Sequence, residues 1–159
     1  MWLVIGYGSL LNGDDRFGRV VAEELQDRVP NKEAEVISID QLNPELIEAI
    51  SKADGVIFVD ASVNLSAGEL ECVQLAESGS QQVSASPIFS HHSKPESLIQ
   101  ATAALYGHAP PSWLYAVGGE EFGWGEDLSA KIKKMVPEVV ELILNHVCDR
   151  SDRSQTVMK

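Results

Sequence analysis

Three groups of polar residues in the sequence have the types and the spacing needed for chemistry at one site. Asp14 and Asp15 are adjacent and follow a glycine-rich stretch, GYGSLLNG. Asp60 ends a wholly apolar run, VIFV, and His91 and His92 are adjacent just before a segment with helical spacing. Two carboxylates and one imidazole form a mixed oxygen–nitrogen ligand set that suits a borderline divalent ion and leaves coordination positions open.

The elements that flank these residues are expected to bring them together. Residues 2–5 form a short apolar strand, and the glycines after it mark a loop. A helix with apolar residues three to four apart then runs from Phe17 to about Arg28. Asp15 and Asp60 each follow a buried strand, so both are expected at the carboxyl edge of an open α/β sheet, where ligands bind.

A purely structural role for the same residues is also open at this stage. Adjacent aspartates are common in the first turn of a helix, where they interact favourably with its dipole. Asp60 can cap a turn, and paired histidines such as His91 and His92 are often ordinary surface residues. The spacing alone does not choose between these alternatives.

Other kinds of site fit the sequence poorly. The stretch GYGSLLNG has glycine at the first two positions of a dinucleotide fingerprint, but Leu11 occupies the third, and two carboxylates follow that would repel a pyrophosphate. The GKS or GKT of a P-loop and the GxSxG of a nucleophile elbow do not occur.

Composition predicts a single acidic globular domain. The chain has 159 residues and a formal net charge of −12, which makes a nucleic-acid or anionic-membrane partner unexpected. No apolar run approaches the roughly 18 residues of a membrane span, and no signal peptide is recognisable. Cys72 and Cys148 lack metal-site spacing and are expected to be reduced thiols. We expect a cytoplasmic protein.

Strand and helix patterns alternate along the chain and predict the fold class. They indicate a single-domain three-layer α/β/α sandwich with a mostly parallel twisted sheet, in which the alternating stretch 69–75 forms an antiparallel edge strand. The domain is expected to span residues 1–147, and residues 148–159 are expected to form a disordered polar tail. Further strands are predicted at 34–39, 56–59 and 113–117, helices at 44–52, 95–106 and 128–146, and a surface loop at 77–86.

The opening GYGSLLNGDDRFG resembles a known motif, the GxGNxLxxDDGxG opening of the maturation endopeptidases of [NiFe] hydrogenases. The similarity continues through the strand ending IFVDAS, the histidine pair before a helix ending LYG, and the strand ending VGG. It extends to about residue 146.

The resemblance implies an activity and a set of site residues. Members of that family remove a short C-terminal peptide from the hydrogenase large-subunit precursor once nickel is installed. Asp15 and Asp60 match the carboxylate ligands, and His91 matches the histidine ligand, with His92 as the alternative. Nickel is expected to arrive with the precursor, which is the implied partner of a monomeric enzyme. The alternative function is a non-catalytic nickel-binding or precursor-binding accessory module.

Two residues depart from the family pattern. Ser9 stands where asparagine is usual, and it retains a hydrogen-bonding group for the turn. Arg16 replaces a common glycine and is expected to pair with Asp14 or Asp15, which would weaken metal affinity.

Three further features are assigned roles around the site. Asp14 is expected to cap or orient it, and Asp40, in the loop after the second strand, is placed near substrate. The acidic glycine-rich loop 120–125 contains Phe122 and Trp124. It is interpreted either as a wall for the precursor's C-terminal peptide or, preferably, as an irregular connection with both rings buried against the sheet.

Overall fold

A mostly parallel sheet forms the centre of the protein. The computed structural model describes residues 1–30, 32–75, 94–125 and 127–157. Within these residues five strands form one sheet in the order β2-β1-β3-β5-β4. They are β1 (Trp2–Tyr7), β2 (Ala34–Ile39), β3 (Val56–Ser62), β4 (Leu70–Leu75) and β5 (Ser112–Gly118).

Helices connect most of these strands. They are α1 (Phe17–Arg28), α2 (Ile47–Lys52), α3 (Pro95–Tyr106), α4 (Ala130–Lys133) and α5 (Met135–Val157), with short 3-10 turns at Gly13–Arg16 and Pro44–Leu46. The second turn begins as its sequence predicts, because Asn43 Oδ1 accepts a hydrogen bond from the backbone N–H of Glu45, two residues on.

The strand pairing confirms the predicted fold class. β1 pairs in parallel with β2 and β3, and β3 pairs in parallel with β5. β4 is the antiparallel edge strand, with Cys72 opposite Tyr115.

Two apolar clusters lie on opposite faces of the sheet and complete the three layers. On one face, α1 contributes Phe17, Val21 and Leu25 to a cluster that also contains buried residues of α5. On the other face, α2 and α3 pack together, and Leu98 and Ile99 are buried there. The apolar residues of each helix fall three to four apart, so each helix presents one apolar stripe to the sheet.

The structure corrects three details of the predicted elements. β3 continues to Ser62, so Asp60 lies within the strand and not after it. Leu105 continues the apolar spacing of Leu98 and Ile99, which predicts that it faces the core, but it is 69% exposed because it lies in the last turn of α3. The long C-terminal helix is interrupted at Lys134, and Pro137 falls in the first turn of α5, where a missing N–H costs little.

Some predictions fall on residues that the structure does not describe. These are the surface loop at 77–86 and the two candidate ligands His91 and His92. α5 extends to Val157, and the division into a domain and a disordered tail stays a prediction. No helix in the described ranges is long and apolar enough to cross a membrane.

Candidate active site

The predicted carboxylates lie where the sheet changes its direction of winding. From β1 the chain passes to β2 on one side, and β3 lies on the other side of β1. The carboxyl ends of β1 and β3 therefore form a topological switch point, which is where open α/β sheets bind ligands. Asp15 lies in the loop that follows β1, and Asp60 lies near the end of β3.

The loop after β1 is shaped to hold the Asp15 side chain. Its Oδ2 accepts a hydrogen bond of 2.9 Å from the backbone N–H of Ser9. Gly8 has a φ of +146°, and a Cβ there would lie 1.9 Å from the carbonyl oxygen of Asp15, so the loop can close only over a glycine. The Ser9 hydroxyl accepts from the N–H of Leu11 at 3.1 Å and stabilises the turn, as predicted.

A close approach of α1 to the sheet brings this loop toward β3. At Gly18, in the first turn of α1, an added Cβ would lie 2.3 Å from the carbonyl oxygen of Val59 and 2.7 Å from that of Tyr7. Only a residue without a side chain permits this contact. It places the start of α1 against the ends of both β1 and β3, one residue before Asp60.

The environment of Asp60 brings its protonation change into the neutral range. The pKa of this carboxyl is raised to about 7, mainly by burial and to a smaller extent by the nearby charge of Asp15. Two hydrogen bonds act in the opposite direction. They come from the Tyr7 hydroxyl to Oδ2 at 3.1 Å and from the backbone N–H of Ala61 to Oδ1 at 2.8 Å. Asp15 and Asp60 thus lie close enough for the charge of one to raise the pKa of the other.

Two site residues were not predicted from the sequence. Burial, the charge of Asp60 and the hydrogen bond to it raise the pKa of Tyr7 above its ordinary value, and the charges of Glu96 and Asp15 add to this effect. Glu96, in the first turn of α3, is therefore close enough for its charge to act on Tyr7. The position of Tyr7 at the end of a buried strand was an available signal for a site residue, whereas nothing local in the sequence indicated Glu96.

Asp14 is a buried anchor between two distant loops. It is fully buried, and its carboxylate accepts hydrogen bonds from the backbone N–H groups of Glu120 and Glu121 at 2.7 and 2.9 Å. The backbone N–H and the hydroxyl of Ser129 donate to it at 2.7 and 2.8 Å. Burial alone would raise the pKa of Asp14, but these four hydrogen bonds outweigh that effect and lower it.

The charged neighbours of the site differ from expectation. In the described part of the chain no ion pair joins Arg16 to Asp14 or Asp15, and Arg16 Nε is buried without a hydrogen-bond partner. Asp14 cannot turn toward Arg16 because its carboxylate is already held by the other loop. Asp40 follows β2 at the same sheet edge, pairs with Arg19, and has a side chain that is 84% exposed.

The two rings of loop 120–125 have different environments. Phe122 is partly buried and packs against the core, as the preferred interpretation predicts. Trp124 is 83% exposed, so the expectation that both rings are buried is wrong for this residue. The backbone of Gly125 explains the difference, because its bridge to Asn12 holds the loop at the surface.

The described residues supply two of the three predicted metal ligands. No group of three or more His, Cys, Asp or Glu side chains suited to a metal ion occurs within the described ranges, and the two candidate histidines lie outside them. Asp15 and Asp60 nevertheless fit a divalent cation, because a cation would offset the cost of burying one carboxylate beside another. The ligand set as a whole stays a prediction.

Solved structures with the same fold include several hydrogenase maturation proteases. The [NiFe] hydrogenase maturation protease HycI from Thermococcus kodakarensis has a TM-score of 0.71 and 23% identity over 92% of this chain and 91% of that one. The hydrogenase maturating endopeptidase HybD from E. coli has a TM-score of 0.70 and 20% identity over 94% and 93%. The hydrogenase 2 maturation peptidase from Thaumarchaeota archaeon SCGC_AB-539-E09 has a TM-score of 0.69 and 18% identity over 92% and 97%.

Sequence comparison gives no corresponding match, since neither a known family profile nor a curated protein sequence matches the chain. The chain is thus an α/β protein with paired carboxylates at its switch point. More particularly, it has the fold of the hydrogenase maturation proteases over nearly its whole length, which supports the resemblance of its opening motif.

Proposed function

We propose that this protein is an endopeptidase that removes a short C-terminal peptide from the nickel-loaded large-subunit precursor of a [NiFe] hydrogenase. The observation that carries the proposal is the position of Asp15 and Asp60 at the switch point of this fold, where the charge of Asp15 raises the pKa of Asp60. The solved structures that share this fold include hydrogenase maturation proteases, and the opening motif of this chain resembles that of the same family.

Nickel enters this scheme as part of the substrate. Asp15, Asp60 and one histidine of the 91–92 pair would complete the coordination of an ion that the precursor already carries. Carboxylate and imidazole ligands suit Ni²⁺, and a bound divalent ion can polarise a carbonyl or lower the pKa of a bound water. A precursor without the ion would leave Asp15 and Asp60 repelling each other, so this arrangement favours the loaded form.

The chain's own groups supply the remaining chemistry. A carboxyl with a pKa near 7 exchanges a proton readily at neutral pH, so Asp60 is suited to accept a proton from an attacking water or to act as a ligand. The Tyr7 hydroxyl orients Asp60 Oδ2. Asp14, held by the opposite loop, fixes the backbone from which Asp15 projects.

The direct test is cleavage of the purified nickel-loaded precursor by the wild type and by Asp15→Asn and Asp60→Asn. Both variants should lose cleavage, because each keeps the size of the side chain and removes its charge. Asp54→Asn is the matched control, since Asp54 pairs with the chain's amino terminus at the opposite edge of the sheet. Near-normal cleavage by either site variant would rule out the proposed ligand role of that aspartate. Binding of the precursor without cleavage by the wild type would favour an accessory module.

A further inference from the structure

The loop that carries Trp124 is held on an ordered support beside the candidate site. Gly125 N–H donates to the carbonyl of Leu11 at 2.9 Å, and Gly13 N–H donates to the carbonyl of Gly125 at 3.0 Å. Asp14 N–H donates to the carbonyl of Glu121 at 2.7 Å. Backbone hydrogen bonds thus join the residues on both sides of Trp124 to the segment 11–14.

Two large apolar side chains are exposed on this support. Trp124 is 83% exposed, and Leu11, on the backbone segment bonded to Gly125, is 50% exposed. A tryptophan offers a large apolar area on a side chain with few rotatable bonds, which is why tryptophan is enriched among the residues that dominate protein interfaces. The segment that bears Leu11 leads directly into the carboxylate pair 14–15.

The exposed charged side chains of the loop that carries Trp124 are negative. Glu120, Glu121 and Asp127 are exposed in the same loop. The nearest following basic residue, Lys131, lies against Gly68 in the loop before β4. The chain as a whole has a net charge of −12, so a second copy, a nucleic acid or an anionic membrane would meet repulsion here. A cationic partner would be attracted, and Lys or Arg can also stack on the indole.

We infer that Leu11 and Trp124, flanked by Glu120, Glu121 and Asp127, form a docking surface for a cationic segment of the substrate polypeptide. The inference rests on the proposed function for the identity of that polypeptide, the hydrogenase large-subunit precursor. The surface adjoins the Asp15 loop, so a chain docked there is held next to the candidate site while the indole and the carboxylates contact its Lys or Arg residues.

The test measures steady-state cleavage of the purified nickel-loaded precursor by Trp124→Ala. We expect KM to rise about tenfold, with kcat within about twofold of the wild type, because a surface contact outside the reacting groups contributes mainly to binding. Leu105→Ala is the matched control, since it removes another large, mostly exposed apolar side chain, at the far end of α3. An unchanged KM for Trp124→Ala, or the same rise for both variants, would overturn the inference.

The charge of the partner is tested by the double variant Glu120→Gln/Glu121→Gln. Glu120 and Glu121 bond to Asp14 through backbone groups, their two N–H groups and the carbonyl of Glu121, so changing their side chains leaves that anchor intact. KM should rise at low ionic strength and depend less on NaCl than in the wild type. A salt dependence identical to that of the wild type would contradict a cationic partner.

Failure of the proposed endopeptidase function can be distinguished from failure of the docking surface. A wild type that binds the precursor without cutting it contradicts the endopeptidase, and the Kd values of the same variants then decide the docking surface. A wild type that neither binds nor cuts contradicts both. Sedimentation that shows a dimer lost in Trp124→Ala would assign the surface to a second copy and overturn the inference.

Discussion

Asp14 and Ser129 are joined by two hydrogen bonds, one from the backbone N–H of Ser129 to Oδ1 at 2.7 Å and one from its hydroxyl to Oδ2 at 2.8 Å. The two residues are 115 positions apart in the chain. This pairing fastens the loop after β1 to the segment that precedes α4. The adjacent aspartates thus have different roles, since Asp14 is a buried anchor between two loops, whereas Asp15 accepts from the N–H of Ser9 and its charge acts on Asp60.

Removing the hydrogen bonds of Asp14 should lower the free energy of unfolding. Asp14→Asn places an NH₂ group against backbone donors, so at least one buried donor loses its acceptor. We expect the free energy of unfolding at pH 7 to fall by about 3 kcal/mol, measured by urea denaturation. Asp40→Asn is the control and should cost less than about 1 kcal/mol, because the exposed pair of Asp40 with Arg19 is screened by water.

The same variant has a defined pH dependence. Because the pKa of Asp14 is lowered in the folded state, its contribution is present above its unfolded pKa of about 4 and is lost as pH falls through the folded value. The difference between wild type and Asp14→Asn should therefore shrink in acid. A difference that grows below pH 4 would contradict the role given to its hydrogen bonds.

The contribution of Asp60 to stability should change with pH in the opposite direction. Its pKa is about 7 in the folded state, so the ionised form opposes folding increasingly as pH rises from about 4 to 7. Asp60→Asn should be more stable than the wild type by up to about 4 kcal/mol at pH 8 and should lose this advantage below pH 4. Cleavage should be lost in the same variant.

Thermal or urea unfolding at the two pH values checks this prediction. Asp54→Asn serves again as a neutralised carboxylate away from the site, and it should gain no stability at pH 8. A lower stability of Asp60→Asn at pH 8 would show that burial of the charge is not the dominant influence on Asp60.

The contact between the two candidate ligands can be measured directly. The charge of Asp15 raises the pKa of Asp60, so Asp15→Asn should lower it. The Asp60 carboxyl ¹³C shift, followed by NMR against pH, reports that pKa in the metal-free protein. An Asp60 pKa that does not move in Asp15→Asn would mean that the two side chains are too far apart to share an ion.

Tyr7→Phe should move the same pKa upward. The Tyr7 hydroxyl donates to Asp60 and stabilises its ionised form, so its removal favours the protonated form. If ionised Asp60 is required for cleavage, the acidic limb of the kcat/KM profile should shift to higher pH. A shift to lower pH would contradict the direction of this hydrogen bond.

Local patterns predicted most of the fold. β2 has the predicted bounds, and α3 ends at Tyr106, just before Gly107, whose φ of +83° is the left-handed conformation typical of a helix end. The edge strand β4 was recognisable from its alternation. Such features depend on neighbours in the chain, which is why a sequence shows them.

Long-range contacts account for what the sequence did not show. β3 continues past Asp60 because its pairing with β5 extends to Ser62 opposite Gly118, and no local signal marks that end. The hydrogen bonds of Asp14 to residues more than 100 positions away were invisible for the same reason. The exposure of Trp124 depends on the bridge between Asn12 and Gly125, which joins two distant loops.

The most direct test of the central claim is mass spectrometry of a cognate large-subunit precursor incubated with the protein, with and without installed nickel. We predict loss of a short C-terminal peptide from the nickel-loaded precursor alone. Cleavage regardless of nickel would keep the protease but contradict recognition of the ion by Asp15 and Asp60. An intact precursor in both samples, with binding preserved, would contradict the endopeptidase itself.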